Sequence, residues 1–306
     1  MASRRIGFLG PTGTFSDQAL HTQHDLVGEQ LVEFPTIADV LVATSTGDVD
    51  LGFVPIENAI EGAVNVTLDG LIFDTELLIQ REVVLDIELC VLATPGTVLG
   101  DVRTVLSHAM ANAQCRRYLR QELPHAEVLS VGSTVEAARQ ASEQPGTVAI
   151  APASAATGYG LDILVRNIAD HPENQTRFIL VATEGVPPPT GHDKTSVVLF
   201  QRQDRPGSLL AILQEFAARD INLTRLSSRP AKTTLGQYCF LIDLEGHIAD
   251  DLVADCLRAI QAKHAEVKYL GSYPAAGEHG PARRRAADAA WSEADAWMQA
   301  LRARIG

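Results

Sequence analysis

The chain has 306 residues, is 46% hydrophobic and 21% charged, and carries a formal net charge of -13, values that exclude a disordered chain and leave room for more than one domain. So acidic a protein offers no broad basic face to nucleic acid, though one Arg and helix N-termini can still gather an anion locally. Membrane insertion is excluded too, because the best apolar run, Val83 to Ala93, is broken by Asp86 and Glu88 and falls short of the roughly 20 residues a spanning helix needs.

The apolar stretch behind Arg4 and Arg5 is only Ile6 to Leu9, too short for a signal peptide, so a cytoplasmic protein is expected. From there short apolar runs alternate with helical patterns, the signature of parallel α/β sheets. Strands are predicted at Ile6 to Gly10, Leu31 to Phe34 and Leu51 to Pro55, with helices at Ser16 to His24 and Ala38 to Thr46. A second series begins near Glu88: a strand at Leu89 to Thr94, another at Arg103 to Leu106, a helix with Ala111, Cys115, Tyr118 and Leu119 on one face, and a strand at Val128 to Val131. Ser133-Thr134-Val135-Glu136 then opens a helix as a capping box. Val148 to Ile150 and Arg177 to Ala182 complete the strands. Two βαβ series of similar size predict two lobes with a cleft between them.

Gly185-Val-Pro-Pro-Pro-Thr-Gly191 breaks the pattern, since three consecutive prolines donate no backbone hydrogen bond and favour an extended spacer. The predicted organisation is therefore a two-lobed domain over 1–184, a linker over 185–191, a small domain over 192–277 and a tail over 278–306. In the small domain the order is strand (Thr195 to Phe200), helix (Leu209, Ile212, Leu213, Phe216), strand (Asn222 to Ser227), strand (Tyr238 to Leu244), helix (Leu252, Val253, Cys256, Leu257, Ile260) and strand (Val267 to Leu270). This βαββαβ order is the ferredoxin-like plan. In the tail Ala287, Trp291, Ala294, Met298, Leu301 and Ile305 recur at spacings of four and three, a narrow seam on a peripheral helix.

Nucleotide, hydride and triad-hydrolase chemistries lose support, because their glycine-rich, Gly-x-Ser-x-Gly and His-Glu-x-x-His motifs are missing. His21 and His24 have no carboxylate or thiol cluster to complete a metal site, and Cys90, Cys115, Cys239 and Cys256 read as buried reduced thiols. Gly10-Pro-Thr-Gly-Thr-Phe-Ser16 lies where a strand gives way to a helix. Thr12, Gly13, Thr14, Phe15 and Ser16 there fit either a carboxylate cradle or an ordinary N-cap with Thr14 and Asp17 in capping-box spacing. Val54-Pro55-Ile56-Glu57-Asn58 follows a strand at the edge where α/β proteins hold ligands, and Pro55 is expected to end that strand. Ser107 and His108 occupy the same kind of edge in the second lobe, with Gln114 in the helix behind. Asn174-Gln-Thr-Arg-Phe178 enters the last strand of the large domain. Arg177 suits an organic carboxylate through its planar fork, Thr176 can donate a hydrogen bond, and Phe178 can wall a ring or sit in the core.

Together these stretches resemble the prephenate dehydratase family, and the likeness runs from Gly10 to about Tyr273. Gly-Pro-x-Gly-Thr-Phe-Ser, Pro-Ile-Glu-Asn, Ser-His with Ala-Gln-Cys behind it, and Asn-x-Thr-Arg-Phe occur in the family's order and spacing. Arg205-Pro-Gly-Ser-Leu-Leu210 and Ile221-Asn-Leu-Thr-Arg-Leu-Ser-Ser-Arg-Pro230 resemble the ACT domain of the same enzymes. Ala59 and Ser227 depart from the family's usual Ser and Glu. The resemblance implies lobes like those of type II periplasmic binding proteins, and decarboxylation with loss of water from prephenate to give phenylpyruvate. Thr176 is then the donor to the leaving hydroxide, with Glu57 or a water setting its proton affinity. Arg177 and the helix start after Gly13 would hold the side-chain carboxylate, Phe15 and Phe178 would wall the ring, and Asn58, Ser107, His108, Gln114 and Asn174 would complete the substrate site. No metal or organic cofactor is implied, since aromatisation supplies the driving force. Phenylalanine or another aromatic amino acid is the implied effector, bound between ACT domains of a homo-oligomer, dimer or tetramer, by Pro206, Gly207, Ser208, Leu209, Asn222, Leu223, Thr224, Ser228, Arg229 and Pro230. The competing readings are an arogenate dehydratase and a small-ligand sensor without chemistry.

Overall fold

The computed structural model describes residues 3–232, 237–276 and 296–304. The chain divides into two compact units, residues 1–70 with 83–179 and residues 71–82 with 180–306. It runs through β1 (Arg5–Leu9), α1 (Phe15–His21), β2 (Gln30–Phe34), α2 (Ile37–Thr46), β3 (Leu51–Asn58), the short β4 (Gly62–Ala63), α3 (Asn65–Asp69) and β5 (Leu78–Asp86). β1 pairs in parallel with both β2 and β3, so that Ile6 lies beside Leu51 and Phe8 beside Phe53. α2 starts where the Thr36 hydroxyl accepts the Asp39 amide at 3.1 Å. It stops at Gly47, whose φ of 81° belongs to the left-handed region that favours glycine.

Next come β6 (Cys90–Ala93), β7 (Thr104–His108), α4 (Ala109–Gln114), α5 (Arg116–Glu122), β8 (Glu127–Val131), α6 (Thr134–Glu143), β9 (Thr147–Ala151), α7 (Ala153–Tyr159), β10 (Asp162–Val165) and β11 (Gln175–Ala182). Ser133 caps α6 by accepting the Glu136 amide at 3.0 Å, as the capping box requires. The sheet orders, β2-β1-β3-β11-β5 and β8-β7-β9-β6-β10, are the same plan twice. In each, three strands lie in the order second, first, third, and the fourth place is taken by a strand that follows a crossing from the other lobe. The crossings bind each other, since the Ile87 amide donates to Asn174 O at 2.8 Å and the Ile168 amide to Leu89 O at 2.9 Å.

The second unit contains β12 (Asp193–Gln201), α8 (Ser208–Ala217), β13 (Leu223–Pro230), β14 (Tyr238–Glu245), α9 (Asp251–Lys263) and β15 (Ala265–Pro274), with sheet order β13-β14-β12-β15. The registered pairs are antiparallel, giving the ferredoxin-like arrangement expected. Ile212 and Phe216 of α8 and Val253, Cys256, Leu257 and Ile260 of α9 pack on Val197, Leu199, Ile242 and Leu244 of the sheet. The segment 71–82 belongs here by packing: buried Glu82 receives Lys194 Nζ at 2.8 Å, and Lys268 Nζ donates to Thr75 O at 2.6 Å. A carboxylate so deeply buried requires such a partner.

Two sequence expectations are corrected. β3 does not end at Pro55 but continues to Asn58. Its pairing with β1 ends at Phe53, so the missing N–H of proline costs that ladder nothing. The helix behind β7 is two helices, broken at Cys115 with φ of -115° and ψ of 20°. β5 and β10 were not legible, the first because Gln80, Arg81 and Glu82 interrupt its apolar pattern. Residues 296–302 of the tail are helical, with Trp297 60% exposed, whereas Ala287, Trp291, Ala294 and Ile305 lie outside the described residues. Among the described residues no helix is long and apolar enough to cross a membrane.

The rings of Phe53 and Phe178 stack with centroids 5.2 Å apart and planes 7° apart, both fully buried. This contact joins β3 to β11 in the first lobe. Phe178→Ala should cost about 3–5 kcal/mol, read as a lowered urea midpoint, and Phe178→Leu distinctly less. An unchanged midpoint for the alanine variant would show that the ring is not a core element.

Candidate functional site

β3 and β11 deliver their polar ends to one place. The Asn58 carboxamide accepts the Ile60 and Glu61 amides on Oδ1 at 3.0 and 2.9 Å. Its Nδ2 faces Asn174 Oδ1 at 2.8 Å, Thr176 Oγ1 at 2.9 Å and Gln175 O at 3.2 Å. Peptide N–H groups only donate and a peptide carbonyl only accepts, so this carboxamide has one possible orientation. Thr176 Oγ1 therefore receives a hydrogen bond from Asn58 and directs its own proton elsewhere. A half-buried hydroxyl held in this way is a placed hydrogen-bond donor. Asn174, 1% exposed, is tied through Nδ2 to Gln114 Oε1 at 3.1 Å, and Gln114 Nε2 donates to Glu61 Oε1 at 3.2 Å.

Beside Thr176, Arg177 Nη1 lies 3.8 Å from Glu57 Oε2, the guanidinium mostly covered and the carboxylate half-open. The pair balances its own charge, and an incoming carboxylate would share the guanidinium with Glu57. Phe178 does not wall a ring, because it is 2% exposed and stacked on Phe53. Its alternative reading as core is the one the structure adopts.

The loop before α1 is more engaged with itself than a simple cradle. Thr14 caps α1, accepting the Asp17 amide at 3.5 Å, while Asp17 Oδ2 accepts the Gly13 amide at 2.8 Å. Thr12 gives both its amide and its hydroxyl to Glu33 Oε1. Ser16 is buried, and Phe15 packs partly against the core of the second lobe, among residues that include Val91, Val105 and Cys115. Ser154 Oγ also reaches Gly13 O at 3.3 Å. The loop is thus both an N-cap and a contact between the lobes.

In the second lobe Ser107 is fully buried and donates to Ile150 O at 2.6 Å. A hydroxyl consumed in tying β7 to β9 is not open to a substrate, which corrects its assignment as a binding group. His108 is half-exposed at the start of α4, where Nδ1 accepts the Met110 amide at 3.4 Å. Cys90, Cys115, Cys239 and Cys256 are buried thiols, none of them in a disulfide. Desolvation pushes the Cys115 and Cys256 thiols up to about 12, so neither is a nucleophile.

In the second unit a groove of 440 Å³ is lined by Gly207, Ser208, Leu209, Leu213, Ser228 and Tyr238, among others. Gly207 has φ of 88° just before α8, a conformation suited to a residue without Cβ. Pro206 lines an adjoining recess with Arg202 and Lys263. Arg229 and Pro230 pair with Cys239 and Tyr238 at the same end of β13 as Ser228. Asn222, Leu223 and Thr224 lie at the opposite end, where Leu223 pairs with Leu244, roughly 13 Å along the strand at about 3.3 Å per residue. Within one chain the residues expected to bind an effector form two separate groups. Sequence reading placed Tyr238 at the start of a strand and Leu213 on the apolar face of a helix, both without a ligand role, and singled out nothing at Glu61.

The family profile described as prephenate dehydratase matches residues 6–186, and that of the ACT domain matches residues 196–262. A prephenate dehydratase of Mycolicibacterium vanbaalenii is 41% identical, over 97% of this chain and 98% of its own. The crystal structure of the prephenate dehydratase of Arthrobacter aurescens in complex with L-Phe is 37% identical with a TM-score of 0.86, covering 97% of this chain and 99% of its own. A protein described as a novel type of quorum quenching acylase is 30% identical with a TM-score of 0.80, covering 89% of this chain and 98% of its own.

Asn58→Asp should reveal the fixed orientation of this carboxamide. One carboxylate oxygen would keep the two amides, and the other would face the Gln175 carbonyl and Asn174 Oδ1. The variant should therefore be roughly 1–3 kcal/mol less stable than wild type at neutral pH. The urea midpoint reads the effect, and a wild-type midpoint would contradict it.

Proposed function

The chain belongs to the prephenate dehydratase family, and we propose that it converts prephenate to phenylpyruvate, carbon dioxide and water under feedback control by phenylalanine at its ACT domain. The ring carboxylate leaves as CO2, its bonding electrons enter the ring, and the opposite C–O bond breaks. Hydroxide is a poor leaving group unless a donor stabilises it as the bond breaks. The observation that carries the reading is the 2.9 Å bond from Asn58 to Thr176, which leaves the threonine hydroxyl proton to face that oxygen. A threonine is too weak an acid to supply the proton outright, so it acts as a placed donor through which a proton from solvent reaches the departing hydroxide.

Arg177 binds the side-chain carboxylate, and Glu57 tunes the guanidinium that it neighbours. Phe15, at the junction of the lobes, offers the aromatic wall, and His108 lines the second-lobe side. Arogenate differs from prephenate only in the side chain that Arg177 would hold, so both substrates belong in one assay. Acyl transfer of the nucleophilic kind, one reading of the word acylase printed for one structural neighbour, needs a nucleophile with a base in hydrogen-bond reach. The Asn58 amide that faces Thr176 Oγ1 is a donor and activates no nucleophile.

For regulation we propose that phenylalanine binds between ACT domains of two chains. The groove at Gly207, Ser208, Leu209 and Ser228 and the distant Asn222, Leu223 and Thr224 can face one ligand when they come from different copies. This implies a homo-oligomer, a dimer or tetramer, acting in the cytoplasm.

Thr176→Ala should lower kcat by roughly 100-fold or more with a much smaller change in KM, and Thr176→Ser should retain more activity. Near-wild-type turnover by folded Thr176→Ala would overturn the mechanism. Arg177→Lys should raise KM more than it lowers kcat, because a lysine cannot grip a carboxylate through two donors. Phenylalanine should lower turnover and shift the sedimentation profile together, with the weaker response expected from tyrosine. Gly207→Val should abolish both effects; their absence in wild type would sink the regulatory reading alone.

A further inference from the structure

Glu61 takes part twice in the hydrogen bonds around Thr176. Its backbone amide donates to Asn58 Oδ1 at 2.9 Å. Asn58 Nδ2 donates to Asn174 Oδ1 at 2.8 Å, Asn174 Nδ2 to Gln114 Oε1 at 3.1 Å, and Gln114 Nε2 back to the Glu61 carboxylate at 3.2 Å. The bonds form a closed ring through four residues. All of them run in one sense, because a peptide N–H cannot accept and an ionised carboxylate cannot donate. A carboxamide turned the wrong way anywhere in the ring would set donor against donor or acceptor against acceptor.

The ring also joins three parts of the fold. Asn58 ends β3 and Glu61 lies in the turn before β4, Asn174 precedes β11 at the end of a crossing, and Gln114 ends α4 in the second lobe. Asn174 is 1% exposed and has both ends of its carboxamide engaged within the protein. It therefore orients Asn58 and does not touch substrate.

We infer that Glu61 is a positioning residue: its carboxylate fixes Gln114 and Asn174, and through them holds Asn58 as a donor to Thr176, which keeps the threonine proton aimed at the leaving group. The inference rests on the proposed dehydratase reaction for its catalytic consequence, and on the ring alone for its structural one. Glu61 is exposed, so its removal leaves no buried charge and the fold should persist. What is lost is the clamp on Gln114, which frees Asn174 to turn and share its amide with other partners.

The test compares wild type, Glu61→Ala, Gln114→Glu and the exchanged pair Glu61→Gln with Gln114→Glu. In the exchanged pair the bond between positions 61 and 114 reverses, the new glutamine donating to the new glutamate, whose carboxylate still accepts from Asn174, so the orientation of Asn174 and Asn58 survives. Glu61→Ala should lower kcat about 10-fold with KM within about 2-fold, as loss of one charge-assisted hydrogen bond does when it acts on the transition state. Gln114→Glu alone sets two carboxylates together and should fall at least as far. The exchanged pair should recover to within about 3-fold of wild type. Exchange protection of the Asn58 and Asn174 side-chain amides, measured on protein labelled at asparagine, should follow the same order. Wild-type kcat for Glu61→Ala, or an exchanged pair no better than the single variants, would overturn the inference. An inactive wild type would refute the dehydratase reading, while the amide protection would still decide whether Glu61 fixes the ring.

Discussion

The proposed chemistry depends on a carboxamide that cannot turn over. Asn58 is caught between two peptide N–H groups on its oxygen side and three acceptors on its nitrogen side. Hydrogen bonds of ordinary strength contribute only about 0.5–1.5 kcal/mol each, but reversing the group would set donor against donor at the Ile60 and Glu61 amides and acceptor against acceptor at the Gln175 carbonyl. A catalytic hydroxyl needs such a neighbour more than it needs an acid. Rotating a threonine O–H costs little, so a proton aimed at the leaving oxygen has to be defined by what the oxygen's lone pairs are already doing. This is electrostatic preorganisation reached with neutral groups, and it fits a reaction whose driving force lies in the substrate.

The doubled lobe plan explains why that neighbour can be assembled at all. Each sheet gives its fourth place to a strand arriving from the other lobe, so the chain passes twice between them and the two crossings are stitched together at Ile87 and Ile168. Thr176 follows immediately on one crossing and Asn58 ends the strand next to it. Stacked Phe53 and Phe178 fix the spacing of those strands from within. The aromatic ring that sequence allowed to contact substrate instead sets the floor on which Thr176 and Arg177 stand.

Much of this was legible in the sequence. The alternation of short apolar runs with helical patterns gave the two lobes, Ser133 and Glu136 marked a capped helix that the structure contains, and the βαββαβ order emerged from apolar faces such as Leu209, Ile212 and Phe216. The elements that escaped were those whose partners are distant in sequence. β5 hides behind Glu82, whose burial is tolerable because Lys194 and the Ala276 amide meet its carboxylate. Pro55 reads as a stop, yet the strand continues, its pairing with β1 having already ended at Phe53. Motif resemblance brought Asn58, Thr176, Gln114 and Asn174 together and named Thr176 as a donor, but not the hydrogen bonds that link the four. Ser107 and Phe178 look like ligands for a substrate until their burial is known, and Glu61 looks like a solvated charge until its partner 53 residues away is seen.

Control of such a site requires that effector binding alter something stiff. An effector shifts an equilibrium only through contacts that differ between two states, and the ACT groove around Gly207 is far along the chain from Thr176. Two strands shorten that path. β5 passes from the second unit into the first between Glu82 and Val83, and β11 leaves the first between Ile179 and Leu180. Neither strand is interrupted at the boundary. Thr176 is thus four residues from Leu180 along one continuous strand, and a strand held in a sheet transmits displacement with little slack because its register is pinned by side-chain burial on both faces. Glu82 and Lys194 anchor the β5 end of this connection to β12 of the ACT sheet with a short buried ion pair. In the proposed mechanism the threonine proton is aimed by bonds of ordinary strength, so a small displacement of β11 against Asn58 would suffice to spoil its direction without unfolding anything.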